Sequence, residues 1–67
     1  MFKATDKQKE RLKDIGKLCQ LCRQNANKTR TQVAEELGIT LSDITNFENG
    51  RVNNAIIYDY YLSEFIY

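Results

Sequence analysis

TRTQVAEELGITLSDITNFENGR, residues 29–51, divides into two short helical segments around a single glycine. The first, residues 31–37, sets Val33, Ala34 and Leu37 on one face. Gly38 supplies the turn, because a residue that ends a helix at positive φ costs least when it has no Cβ. Ile39 follows as an expected buried plug. The second segment, residues 41–49, turns Ile44 and Phe47 inward and stops at Gly50. Two short helices, a glycine between them and apolar residues only on the inner faces describe a helix-turn-helix.

The pattern Thr29, Arg30, Val33-Ala34, Leu37-Gly38-Ile39, Ile44 and Phe47-Glu48-Asn49-Gly50-Arg51 resembles the Cro/CI-type (XRE) repressor domain of phages and bacteria. The resemblance covers residues 15–51, and the last fourteen residues match it poorly. It implies a compact all-α, lambda-repressor-like domain of four or five helices. It also implies a transcriptional regulator, a repressor by type, that binds double-stranded operator DNA as a homodimer.

Composition bounds the reading. Sixty-seven residues with 42% apolar and 28% charged side chains make one small globular domain, with a core worth only a few kcal/mol. The sequence has no run of 18 apolar residues and no signal-peptide pattern, so a cytoplasmic protein without a membrane segment is expected. The net charge of +1 hides a division: residues 1–30 carry nine basic side chains against three acids, while residues 31–67 carry Arg51 against six acids. Such asymmetry fits a polyanionic partner for the first half, or equally a solvated lysine-rich helix face. A pI of about 7.7 is low for a DNA-binding domain.

Helix starts are marked three times by one signal. Thr5 with Gln8, Thr29 with Gln32, and Thr40 with Asp43 each have capping-box spacing, so helices should begin near Asp6, Thr31 and Leu41. In the first helix Leu12, Ile15, Cys19, Cys22 and Ala26 recur at spacings of 3 and 4, with Leu18 and Leu21 beside them, as one broad inward stripe. Gly16 costs that helix about 1 kcal/mol relative to Ala, which points to a close helix contact. Residues 25–28 form the polar break after it. Asn53-Asn54 caps a last helix over residues 55–65.

Ten of the last fourteen residues are apolar or aromatic, and all four tyrosines lie among them. A surface helix needs only an apolar stripe, and tyrosine suits interfaces because its ring buries while its hydroxyl stays wet. A homodimer interface through Ile57, Tyr58, Tyr60, Tyr61, Phe65 and Ile66 is therefore expected. The bland reading is a helix that closes a very small core.

The second helix of a helix-turn-helix lies in the major groove while the first crosses the phosphate backbone. The outward residues of 41–49 are Leu41, Ser42, Thr45, Asn46 and Asn49. By the family resemblance, Leu41, Ser42 and Asn46 stand at base-reading positions. Asn46 can pair with adenine N6 and N7, Ser42 can bond several bases, Leu41 can touch a thymine methyl, and Thr45 is a further candidate. Arg30 stands where the family has a phosphate-binding Gln, so it keeps the contact and adds charge. Lys28, Thr29, Thr40, Arg51 and Asn53 are further phosphate candidates, or plain caps and loop residues.

Glu48 matches a family position whose carboxylate pairs with an arginine of the first helix, and Arg23 has the matching offset, so an Arg23–Glu48 structural ion pair is expected. Asp43 reads as a capping acid, with cytosine N4 as its other candidate partner. Cys19 and Cys22 form a C-x-x-C, but they lie on an apolar stripe with no further Cys or His, which favours buried free thiols over a metal site. With no His and no paired base and nucleophile, neither an enzyme nor a cofactor or small-molecule ligand is expected. The rival to DNA binding is a protein-binding module on the same fold, an antirepressor, antitoxin or phage inhibitor.

Overall fold

The computed structural model describes residues 6–67. Within them the chain is all-helical: α1 Asp6–Asn25, α2 Arg30–Leu37, α3 Leu41–Glu48 and α4 Ala55–Tyr61, followed by a π-helical turn Leu62–Ile66. The described part of α1 begins at Asp6, and the expected helix start and its Thr5 cap lie at the edge of, and outside, the described residues. No helix among the described residues is long and apolar enough to cross a membrane.

Local chemistry sets the boundaries. Thr29 Oγ1 accepts from Gln32 N at 3.1 Å while Thr29 N donates to Gln32 Oε1 at 2.8 Å, closing a reciprocal cap at the start of α2. Thr40 and Asp43 repeat it for α3, with Asp43 N to Thr40 Oγ1 at 3.1 Å and Thr40 N to Asp43 Oδ2 at 3.3 Å. Asn54 alone caps α4, its Oδ1 accepting from Ile56 N and Ile57 N. α1 ends through Asn27 at φ +60, α2 through Gly38 at φ +70.

The core consists of Cys19 from α1, Val33 and Ala34 from α2, Ile44 and Phe47 from α3, and Ile57 and Tyr61 from α4, with Ile15, Leu37, Ile39, Tyr60 and Phe65 half-buried around it. Burying each large apolar side chain contributes about 1.5–3 kcal/mol, so seven buried residues hold a chain this small only if its helices approach closely. Two glycines permit that approach. A Cβ on Gly16 would stand 2.4 Å from the Glu48 carbonyl oxygen and 2.6 Å from that of Phe47, so α1 lies directly on the last turn of α3. Gly50, at φ +72, would drive a Cβ to 2.5 Å from Lys13 Cα, so the chain leaving α3 also rests on α1.

Several expectations need correction. Leu18 and Leu21 do not face inward: they are 55% and 51% exposed, because the short α3 and α4 cover only one side of α1. Ala26 lies past the end of α1 and is exposed. Ile39 is half-buried rather than a full plug. α3 ends at Glu48, with Asn49 as its cap. The last segment is not one regular helix, since it widens after Tyr61 and Tyr67 N donates to Leu62 O at 2.8 Å. The wider turn accompanies edge-on packing of Phe65, 5.8 Å from the Tyr60 ring centroid and 5.2 Å from that of Tyr61.

Gly16→Ala tests the α1–α3 approach. Alanine favours the helix by about 1 kcal/mol, yet a methyl against two backbone carbonyls forces a shift costing about 1–3 kcal/mol. Chemical denaturation should show net destabilisation, and a stabilised variant would mean that the two helices do not meet here.

Candidate nucleic-acid interface

Beneath the face of interest lies Glu48, whose side chain is wholly shut from solvent. A buried carboxylate without partners is costly, and this one has three donors. Arg23 of α1 donates Nε to Oε2 at 2.8 Å and Nη2 to Oε1 at 3.1 Å. Arg30 of α2 donates Nε to Oε1 at 2.9 Å. The Tyr61 hydroxyl of α4 donates to Oε2. Arg23 also donates Nη1 to the Lys28 carbonyl at 2.7 Å, fixing the loop between α1 and α2.

The electrostatics follow from burial and bonding. Burial on its own would raise the Glu48 pKa, but the hydrogen bonds from Arg23, Tyr61 and Arg30 outweigh it and hold the carboxyl below its ordinary value. The bond to Glu48 raises Arg23 against the opposing effect of burial. Burial, and then the Glu48 carboxylate, push the Tyr61 phenol up. Burial first, then Cys22 and Glu48, push the Cys19 thiol up to about 11, so it is protonated at neutral pH. Cys22 is half-buried and also free, and among the described residues no three His, Cys, Asp or Glu side chains gather as metal ligands.

Above this hub α3 presents its other face. Leu41 is 49% exposed, Ser42 and Asn49 are exposed, and Thr45 and Asn46 are half-buried. The side chains of Ser42, Thr45 and Asn46 have no hydrogen-bond partner among the described residues, which leaves their donors and acceptors open to a ligand. Asp43 is occupied at the Thr40 cap.

The candidate phosphate donors divide. Arg30 and Lys28 are each shared with an acid, Arg30 with Glu48 and Lys28 with Glu36 at 3.2 Å. The Arg30 side chain is still 31% exposed, and only its Nε is bonded to Glu48, so its terminal nitrogens can face a second anion. Thr29 and Thr40 are cap residues at the starts of α2 and α3. Arg51 and Asn53 are exposed.

The C-terminal candidates need the largest correction. Ile57 and Tyr61 are fully buried in the core, so neither can line a surface between two copies. Tyr60 and Phe65 are half-buried against that core, and the Tyr60 hydroxyl donates to Glu36. Tyr58 and Ile66 stay open at 37% and 39% exposure, and sequence reasoning passed over Ile56 and Tyr67, at 72% and 91%. It also missed the Arg30–Glu48 and Tyr61–Glu48 contacts. A tyrosine in an apolar run, which needs a partner for its hydroxyl once buried, was the available signal for the second.

No family model, no curated protein and no solved structure matches the chain.

Arg23→Ala leaves part of a buried carboxylate unpaired, a change that costs about 3–5 kcal/mol when a buried ion pair is broken. Lys13→Ala removes an exposed lysine and should stay within about 0.5 kcal/mol of the parent. Thermal unfolding should therefore separate the two variants clearly, and equal melting temperatures would contradict the hub.

Proposed function

We propose that the chain is a sequence-specific DNA-binding transcriptional regulator of the Cro/CI type, acting as a repressor, which inserts α3 into the major groove. The observation that carries this reading is the two-sided character of α3. Ile44, Phe47 and Glu48 are buried on one side, while Leu41 and Ser42 are exposed on the other and Ser42, Thr45 and Asn46 have uncommitted polar groups. Asn46 then reads adenine by a bidentate pair, Ser42 and Thr45 bond neighbouring base edges, and Leu41 meets a thymine methyl. Arg30 is the principal phosphate donor, helped by Lys28, Thr29, Thr40, Arg51 and Asn53.

A homodimer completes the reading. Tyr58 and Ile66, with Ile56 and Tyr67, are the residues of the C-terminal segment with apolar surface left to bury. Half-sites about 34 Å apart, in a pseudo-palindromic operator, follow from two-fold symmetry. That same surface favours the second reading, a protein-binding module in which Ile56 and Tyr67 meet a different protein.

Selection from a random duplex library at two salt concentrations tests this. A palindromic motif whose affinity falls steeply with salt is expected, and no enrichment at low salt from folded protein would favour the protein-binding reading. On the selected site, Asn46→Ala should cost about 1–3 kcal/mol and relax one base position. Arg30→Ala should weaken all sequences and lower the salt slope by about one.

A further inference from the structure

The lysines of α1 remain unused by this reading. Lys9, Lys13 and Lys17 lie four residues apart, so their Cα atoms recur about 6 Å apart along one edge of the helix. All three are exposed, and none has an ion-pair partner among the described residues. Glu10 and Asp14 lie on the same helix, exposed, and pair with none of them. Of the six acids of the second half, only Glu48 and Glu36 are held in ion pairs among the described residues, by Arg23, Arg30 and Lys28.

The position of this edge is fixed by two close approaches. Gly50 rests on the backbone of Lys13, and Gly16 lies against the carbonyls of Phe47 and Glu48. The middle of the lysine edge is therefore beside the C-terminal end of α3, and exposed Arg51 follows Gly50 directly. A helix with its side chains is about 10–12 Å across. The major groove is about 12 Å wide. In the DNA-binding reading Arg51 is a phosphate contact, so the lysine edge beside it adjoins the backbone that borders the groove.

We infer that Lys9, Lys13, Lys17 and Arg51 form a phosphate-tracking rail that extends the duplex contact from α3 along α1. This inference rests on the DNA-binding reading and adds a surface that contributes affinity and register without reading sequence. Unpaired ammonium groups on a regular spacing release condensed counterions when they meet phosphates, so the rail appears in the salt dependence of binding.

The test uses the full chain and a mixed-sequence duplex about three helical turns long, with affinity measured across a salt series. The Lys9→Gln/Lys13→Gln/Lys17→Gln triple variant should lose about 0.9 in slope for each phosphate contact removed, roughly 2 to 3 in all. Its library-selected motif should match that of the parent. Lys7→Gln, elsewhere on α1, should leave more of the slope than any single rail variant, and circular dichroism should give parent-like melting for all of them. A triple variant with the parental slope, where the parent binds duplex, overturns the rail alone. A parent that binds no duplex overturns both the rail and the DNA-binding reading. A triple variant that loses self-association in sedimentation while keeping its slope would assign the edge to the acidic half of a second copy, and also overturns the rail.

Discussion

One carboxylate joins all four helices. Glu48 on α3 receives Arg23 from α1, Arg30 from α2 and the Tyr61 hydroxyl from α4, in a site closed to water. Burying that charge is unfavourable in itself, and a well-packed apolar replacement can be as stable. What it imposes is geometry: each donor must arrive at hydrogen-bonding distance at once, and none can leave without stranding charge. Gly16 permits this, because α1 brings Arg23 to Glu48 only by lying on the backbone of α3.

This constraint reaches the surface through Arg30. Its Nε belongs to the hub, and its exposed remainder stands at the first residue of α2. Holding a guanidinium by one edge reduces the entropy that a long side chain loses on meeting a ligand. In the DNA-binding reading, the fold thereby prepares a phosphate contact before DNA arrives, and the lysine edge of α1 adds contacts of a looser kind. In the same reading, the open polar face of α3 is the part left for base recognition.

The parts of the fold legible in the sequence are those set by neighbours along the chain. Capping pairs at Thr29 and Thr40, the left-handed Gly38, and the inward Ile44 and Phe47 follow from spacings of three and four residues. The close contact at Gly16 was legible too, since an interior glycine in a helix needs a reason. Contacts over long separations were not. Arg23 and Glu48 could be matched only through family resemblance, and nothing local marks Arg30 as the hub's second cation. The C-terminal run misled for a different reason: where ten of fourteen residues are apolar, periodicity no longer separates core from surface. Ile57 and Tyr61 went inside, while Ile56 and Tyr67 stayed out. On α1, Leu18 and Leu21 continued the apolar pattern past the width that α3 and α4 can cover.

The hub stands or falls on the ionisation of one group, which carbon-detected NMR titration of the Glu48 carboxyl measures directly, with Glu48→Gln for assignment. Its folded pKa lies below the ordinary carboxylate value of about 4.3, so its contribution to stability is complete above that pH and is lost as pH falls through the lowered pKa. A midpoint below the ordinary value, accompanied by loss of stability over the same acid range, is the predicted result. A midpoint at or above it, with the chain still folded, would mean that burial outweighs the three donors and that Glu48 does not hold the four helices together.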